Sequence, residues 1–413
     1  MSRKWATSWQ AIPMRKAFRL LFLLCGLMLP LRAGELVLTG GESFDQVLAA
    51  METVRDDRVD LTPEAVYAAS GLDQVKKNNI GVTTDVYWTR LAVRNGADEK
   101  CEYIFANQRN AINAIDVHIF QNGTIRASHF IGDTRPMTHR SYRSFQSNFA
   151  LTLEPGESVV IVSRLENVGP MDLGWHIYTP QSFLVRESVN VGIVGIFTGF
   201  VFSIVLYNLM IYLVVKVRFY LYFILYLVAG FFSQNLSGLY YVSEGVIPYG
   251  VFTHIGFIFV AFSNMFWHLV TLHFFDLKHR SPYWFYLFHI FIAWTAVHAV
   301  LFFLGYFIPG IMSVVPYSIV ITGGIITPII FFFAFWAVYK RYPGAIYFAL
   351  ATVTSKGMFV FFLFNFLVGA NTSFLARYGV MFGVMAGAFF LSMAFSRWLK
   401  SMQEEATALR ACF

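Results

Sequence analysis

An all-β sandwich over residues 36–186, followed by an all-α bundle of seven membrane-crossing helices over 189–398, is the fold class the sequence predicts. Seven apolar segments fill the second half of the chain, and the basic residues between them fall in alternate gaps. The first half holds short, alternating β-type runs separated by turn signals. Composition agrees. Charged residues make up 13% of the chain, against roughly 25% in soluble domains, and aromatics reach 18%, with 45 Phe.

The leader comes first. Arg3, Lys4, Arg15, Lys16 and Arg19 precede an apolar stretch over 20–31, closed by Ala33-Gly34. A basic flank, a short apolar core and a small residue at its end describe an export signal over 1–33, cut after Ala33. The alternative is an uncleaved anchor, because Leu31 fits poorly two residues before the cut. Of the three cysteines, Cys25 lies in the leader, Cys101 in the exported region and Cys412 in the tail. Cys101 and Cys412 then lie on opposite sides of the membrane, so no internal disulfide is expected. No CxxC pair, His/Cys cluster or HExxH is present, so neither a metal nor any other cofactor is expected.

Within 36–186, a charged stretch over 44–77 reads as helical. Strands are predicted at 86–93, 102–106, 112–120, 125–131, 147–153, 158–164 and 173–178. Asn95-Gly96, Asn122-Gly123 and Pro155-Gly156 mark turns, and Asn122-Gly123 has the spacing of a tight hairpin. Many short strands without interleaved helices imply a sandwich. Side chains alternate along a strand, so Ile115, Val117 and Ile119 form an inward set opposite Asp116 and His118. Leu173, Trp175 and Ile177 form another inward set.

The spans are expected at 191–215, 219–236, 249–275, 284–307, 311–339, 345–368 and 374–397, each close to the roughly 20 residues that cross the hydrocarbon layer. Lys216 and Arg218, Lys278 and Arg280, Lys340 and Arg341, and Arg397 and Lys400 follow the odd-numbered spans. The gaps around Glu244, Gly310 and Ala370 hold no Lys or Arg. Basic loops stay cytoplasmic, so 36–186 is outside and the tail over 399–413 is inside. This topology accounts for much of the net charge of +7, and nucleic acid is not expected as a partner.

Three groups of residues are candidates for function. Trp88 and Arg90 share a strand face opposite Leu91 and Val93, and an aromatic plate beside a guanidinium suits a sugar or a carboxylated small molecule. The competing arrangement is a Trp covering the sandwich edge with Arg90 bound to backbone carbonyls. Asp116 and His118 face outward on a second strand, and Arg140, Tyr142 and Arg143 form a basic aromatic cluster suited to an anion. In the membrane, Lys356 lies near the middle of the sixth span, and none of the seven spans contains Asp or Glu. It must face the bundle, as the switch between two packings, as an anion-binding group in a cavity, or as an amine held by carbonyls and hydroxyls. Thr352 lies one turn earlier on the same face, on a stripe with Ala345 and Ala349. Asn264, His268 and Thr271 form a matching stripe on the third span, read as fixing helix pairing rather than relaying protons.

Several segments resemble a known family. Gly195-Ile196-Phe197-Thr198-Gly199, Leu206-Tyr207-Asn208-Leu209 and Tyr220-Leu221-Tyr222 resemble the bacterial seven-transmembrane receptors with diverse intracellular signalling modules. Asp60-Leu61-Thr62, Tyr87-Trp88-Thr89-Arg90-Leu91 with Asn95, Ile115 to Ile119, Gly132-Asp133 with Pro136 and Arg140, and Leu153-Glu154-Pro155-Gly156-Glu157 resemble that family's second type of extracellular domain. The resemblance covers nearly everything after the leader and implies a sensor in the inner membrane of a Gram-negative-type cell. It also implies a jelly-roll-like, carbohydrate-binding periplasmic domain, and a cytoplasmic module doing phosphorylation or cyclic-dinucleotide chemistry. Here the chain departs from the pattern, because the tail after the last span is too short for such a module. Output is then expected from a kinase or cyclic-dinucleotide enzyme in trans, or the product is a truncated receptor. The expected partners are a periplasmic small molecule or glycan, the lipid bilayer, that enzyme, and a second copy in a homodimer.

A transporter or channel with a periplasmic binding domain is the alternative function. It predicts broken helices in a repeated pair, and only the fifth segment, with Pro309, Pro316 and Pro328, offers a break. A retinal pigment on Lys356 lacks a counterion. No paired-carboxylate or Ser/His/Asp constellation is placed for chemistry, so catalysis is not expected.

Overall fold

The computed structural model describes residues 34–39, 45–107, 112–167, 169–234, 251–308, 310–311, 318, 322–368 and 374–411. The leader and the breaks expected at Pro309 and Pro316 lie outside them. The exported domain contains β1 (Leu36–Leu38), β2 (Glu52–Asp56), β3 (Asp73–Gln74), β4 (Asn79–Thr83), β5 (Val86–Asn95), β6 (Cys101–Asn107), β7 (Ala114–Gln121), β8 (Thr124–Ile131), β9 (Asn148–Leu153), β10 (Ser158–Glu166), β11 (Gly169–Asp172) and β12 (Trp175–Tyr178). The large sheet runs β3-β2-β5-β10-β7-β8, with β1 parallel to β5. A smaller sheet runs β12-β6-β9, and β4 pairs with β11.

The core lies between the two larger sheets, where the alternating patterns of both meet. Leu91, Val93, Ile115, Val117, Ile119 and Ile161 face Tyr103, Phe105, Phe149, Leu151, Trp175 and Ile177. Burying such side chains contributes about 1.5–3 kcal/mol each. The turn between β7 and β8 holds Asn122 at φ 51° and Gly123 at φ 82°. Two successive positive φ angles are what a two-residue hairpin with the native strand twist requires.

The stretch over 44–77 is not one helix. It forms α1 (Asp45–Ala50), β2, α2 (Pro63–Ala68) and β3. The ten-residue strand β5 explains this, since its edge opposite β10 needs backbone partners. Antiparallel β2 covers Val86 to Arg90, and parallel β1 covers Val93 to Asn95.

The helical region contains α3 (Pro180–Val215), α4 (Arg218–Gln234), α5 (Val251–Phe274), α6 (Pro282–Gly305), α7 (Thr327–Tyr339, preceded by a π-helical turn at Thr322–Ile326), α8 (Ala345–Val368) and α9 (Phe374–Ala411). Among the described residues six helices are long and apolar enough to cross a membrane. The expected second span is described over the 17 residues of α4. Interlocking aromatic rings fill the bundle core, with Phe395 packed against Phe219, Phe223 and Phe274 at centroid distances of 4.6, 5.2 and 5.2 Å. Helices α8 and α9 approach closely because Gly383 and Gly387 present bare backbone. A Cβ on Gly383 would stand 2.8 Å from the Thr354 carbonyl oxygen, and one on Gly387 would stand 2.9 Å from Ser355 Cβ. Ala345, Ala349 and Thr352 are buried on α8, as the small-residue stripe predicts.

Candidate functional site

Strand register brings four of the sequence candidates onto one face of the large sheet. Trp88 aligns with Arg164 and then Asp116, and Arg90 aligns with Val162 and then His118. On the far strand, Phe130 and Ser128 continue these two rows. This face lies opposite the sandwich core, and its two halves are built differently.

The Trp88 half is covered. Trp88 is 2% exposed and packs with Val66 of α2, Phe120 and Val162. Its indole Nε1 donates to Asp56 Oδ2 at 3.0 Å, and the amides of Asp60 and Leu61 donate to the same carboxylate at 3.1 and 3.3 Å. Burial alone would raise the Asp56 pKa, but these hydrogen bonds outweigh it and hold the group below the usual carboxylate value. Arg90 donates to Glu52 Oε2 at 2.7 Å and to the carbonyls of Val66, Tyr67 and Ala69 at 3.3, 3.0 and 2.5 Å. A guanidinium there satisfies carbonyls that a helix end leaves without partners. Thr62 caps the other end of α2, its Oγ1 accepting from the Ala65 amide. Trp88 and Arg90 thus form the covered arrangement, with α2 as the cover.

The other half is open. Phe130 is 47% exposed, and the Arg135 guanidinium stands over its ring at 5.5 Å. Arg135 also ion-pairs with Asp116, while Arg164 reaches Asp116 at 3.7 Å and Glu166 at 3.0 Å. His118 Nδ1 hydrogen-bonds Ser128 Oγ at 2.9 Å, and its ring meets Phe130 edge-on at 6.0 Å. Burial pushes the His118 pKa below the ordinary value, with Asp116 and Glu64 pulling the other way. An exposed aromatic face ringed by a carboxylate, guanidinium groups and an imidazole can stack a sugar ring and hydrogen-bond its hydroxyls. Phe130, Arg135 and Arg164 were not among the sequence candidates. The alternation along β8, which turns Phe130 outward beside Asp116, is the signal that finds Phe130.

Arg140, Tyr142 and Arg143 do not join this face, nor do they act as one cluster. Arg140 is buried and donates to the carbonyls of Ser144 and Gly132 at 2.5 and 3.2 Å. Arg143 is exposed. Tyr142 donates to Glu102 Oε1 at 3.3 Å and packs edge-on against Phe183 at 5.7 Å. Phe183 belongs to α3, so Tyr142 is part of the junction between domain and bundle. There the outer face of the small sheet, Ile104, Ala106 and Tyr178, receives Phe183. Only Thr179 separates β12 from α3, and it closes a capping box with Ser182, with Pro180 in the first turn. Arg186 lies 5.4 Å from the Tyr178 ring. Further along α3, Asn190 Oδ1 accepts from the Tyr378 hydroxyl of α9.

Inside the bundle, Lys356 faces inward, 9% exposed. Its Nζ donates to Asn264 Oδ1 at 2.9 Å and stands 5.0 Å from the Trp267 ring. The structure therefore joins the two polar stripes through this pair. Thr352 and Thr271 instead donate to carbonyls of their own helices, Phe348 at 2.8 Å and Trp267 at 2.9 Å. His268 is buried between Phe288 and Phe291 at 5.7 and 5.5 Å, and neither of its ring nitrogens has a hydrogen-bond partner among the described residues. Among the described residues no group of three His, Cys, Asp or Glu could hold a metal ion.

Two family models match the chain. One described as 7TMR-DISM extracellular 2 matches residues 49–179, and one described as 7TM diverse intracellular signalling matches residues 191–398. No curated protein sequence matches it.

Proposed function

The chain belongs to the 7TM diverse intracellular signalling family and carries that family's extracellular sensor domain ahead of its membrane region, and from this premise we propose a glycan receptor of the bacterial inner membrane. In this reading the sensor domain lies in the periplasm, the alternate basic loops and the end of α9 lie in the cytosol, and the chain binds and transmits without catalysis of its own. The ligand stacks on Phe130 and hydrogen-bonds Asp116, Arg135 and His118. A small acid is the second ligand class those groups suit.

The observation that carries the reading is the junction. A strand hydrogen-bonded into the sensor sheet passes through one residue into a capped membrane helix, and that helix is tied to α9 by the Asn190–Tyr378 hydrogen bond. Helix α9 runs unbroken over 38 residues, about 57 Å at 1.5 Å per residue, into the tail. A shift of β12 on ligand binding is thereby passed to the tail helix, where a cytoplasmic kinase or cyclic-dinucleotide enzyme reads it. Coupling of this kind corresponds to about 1–3 kcal/mol of differential ligand affinity.

The test uses the full chain in lipid nanodiscs with an environment-sensitive fluorophore at position 402 on the tail helix, titrated with a panel of oligosaccharides and small acids. At least one ligand is expected to change the emission saturably, and Phe130→Ala is expected to weaken that response about ten-fold, the equivalent of 1.4 kcal/mol. Ligand binding with no change at position 402 would sink the receptor reading, and no binding by any member of the panel would sink the choice of ligand.

A further inference from the structure

We propose that the bundle holds a second binding site, for a short monocarboxylate, beside Lys356 and separate from the ligand face of the sensor domain. A cavity of about 80 Å³ lies there between four helices, lined by Gly230 and Gln234 of α4, Ser263 and Asn264 of α5, Lys356 of α8 and Val384 of α9. It reaches from the middle of the bundle toward the end of α4 remote from the basic loops.

The charge pattern selects an anion. An ammonium carries three N–H donors, and Lys356 places one on Asn264. The Trp267 ring supplies a cation–π contact, which leaves the charge un-neutralised. None of the seven apolar segments contains Asp or Glu, and among the described residues Lys356 has no ion-pair partner. A buried cation is expensive in a medium of low dielectric constant, and an anion arriving from water is attracted there far more strongly than at a surface. One positive charge matches a monoanion rather than a phosphate dianion.

The walls narrow the class further. Val384, Phe359 and Val260 give apolar surface for a short alkyl group, and Lys356, Ser263 and Gln234 add polar groups to the same lining. The volume is well below the roughly 300–1,000 Å³ of a drug-sized pocket and suits the range from acetate to butyrate. Gly230 lines this space, and a Cβ added to it would make ordinary contact with Ser263 Oγ at 3.5 Å, so a longer side chain placed there would extend into the cavity.

The test is binding of radiolabelled propionate to the full chain in nanodiscs of zwitterionic lipid at constant ionic strength. Saturable binding is expected, accompanied by a rise in unfolding temperature. Lys356→Met is expected to lose at least ten-fold in affinity. Gly230→Leu, which keeps the charge and fills the space, is expected to lose as much, and it decides the matter should Lys356→Met fail to fold. The proposal is overturned by an absence of saturable binding, by wild-type affinity in Gly230→Leu, or by chloride competing as well as unlabelled propionate.

Discussion

Arg90 in the sensor domain and Lys356 in the bundle are both cations withdrawn from bulk water, yet their surroundings differ. Arg90 meets a carboxylate and three backbone carbonyls. Lys356 meets one amide oxygen and the face of an indole. Near an aqueous surface the fold can spend charged partners freely, because each member of a pair keeps part of its hydration. In the hydrocarbon layer a second charge would have to be inserted along with the first, so the sequence supplies neutral dipoles and a cavity instead. Arg90 is therefore compensated within its own domain, whereas Lys356 has no counter-charge among the described residues.

Five substitutions or conditions would break or sharpen this contrast. The largest effect is expected from Asp56→Ala, which strands the buried Trp88 indole N–H and removes the acceptor of the Asp60 and Leu61 amides just ahead of α2. A loss of about 3 kcal/mol is expected, measured by chemical unfolding followed through tryptophan emission. Next is Asn264→Leu, which removes the side-chain acceptor that the Lys356 ammonium has among the described residues and is expected to cost about 2 kcal/mol of bundle stability, read by thermal unfolding in nanodiscs. Asn264→Asp sharpens the same point: it supplies the missing counter-charge, so propionate binding should vanish while the bundle remains folded. Glu52→Gln should cost about 1 kcal/mol, because Arg90 keeps its three carbonyls and the pair is partly open to water.

The last effect concerns pH at the junction. Burial pushes the His176 imidazole down from 6.5 to about 3, and Arg186 and Arg377 add to the shift. Between those values the unfolded chain binds a proton that the folded chain refuses. Stability contributed by this site is thus complete above about pH 6.5 and declines as pH falls toward 3. The unfolding temperature of His176→Phe should depend less on pH between 7 and 5 than that of the unaltered chain.

The strands were legible because one buried face imposes strict alternation. Ile115, Val117 and Ile119 could hardly face anywhere but the core. The edge strand β2 was not legible. Its short run Glu52 to Asp56 carries a single apolar residue, and its pairing is decided by the free edge of β5 far along the chain. For the candidate site, sequence placed Trp88, Arg90, Asp116 and His118 correctly by face, but whether each was open or covered depended on where α2 came to rest. Phe130 does not stand out from the sequence, because one exposed aromatic in a strand is unremarkable until Arg135 is seen above it. Lys356 and Asn264 were each picked out by the cost of polarity in lipid. Their hydrogen bond spans 92 residues of sequence and could not be read from either segment alone.

Helix α2 has six residues, well short of the roughly 12–15 at which an isolated helix becomes even marginal in water. Its order is borrowed from Arg90 at one end and Thr62 and Asp56 at the other. Such a piece has no stable half-way state. It is seated with both ends held, or it unravels together with the 57–72 stretch and bares Trp88. In native-state hydrogen exchange the amides of this stretch should therefore exchange as one cooperative unit, earlier than those of β5 and β10 beneath it.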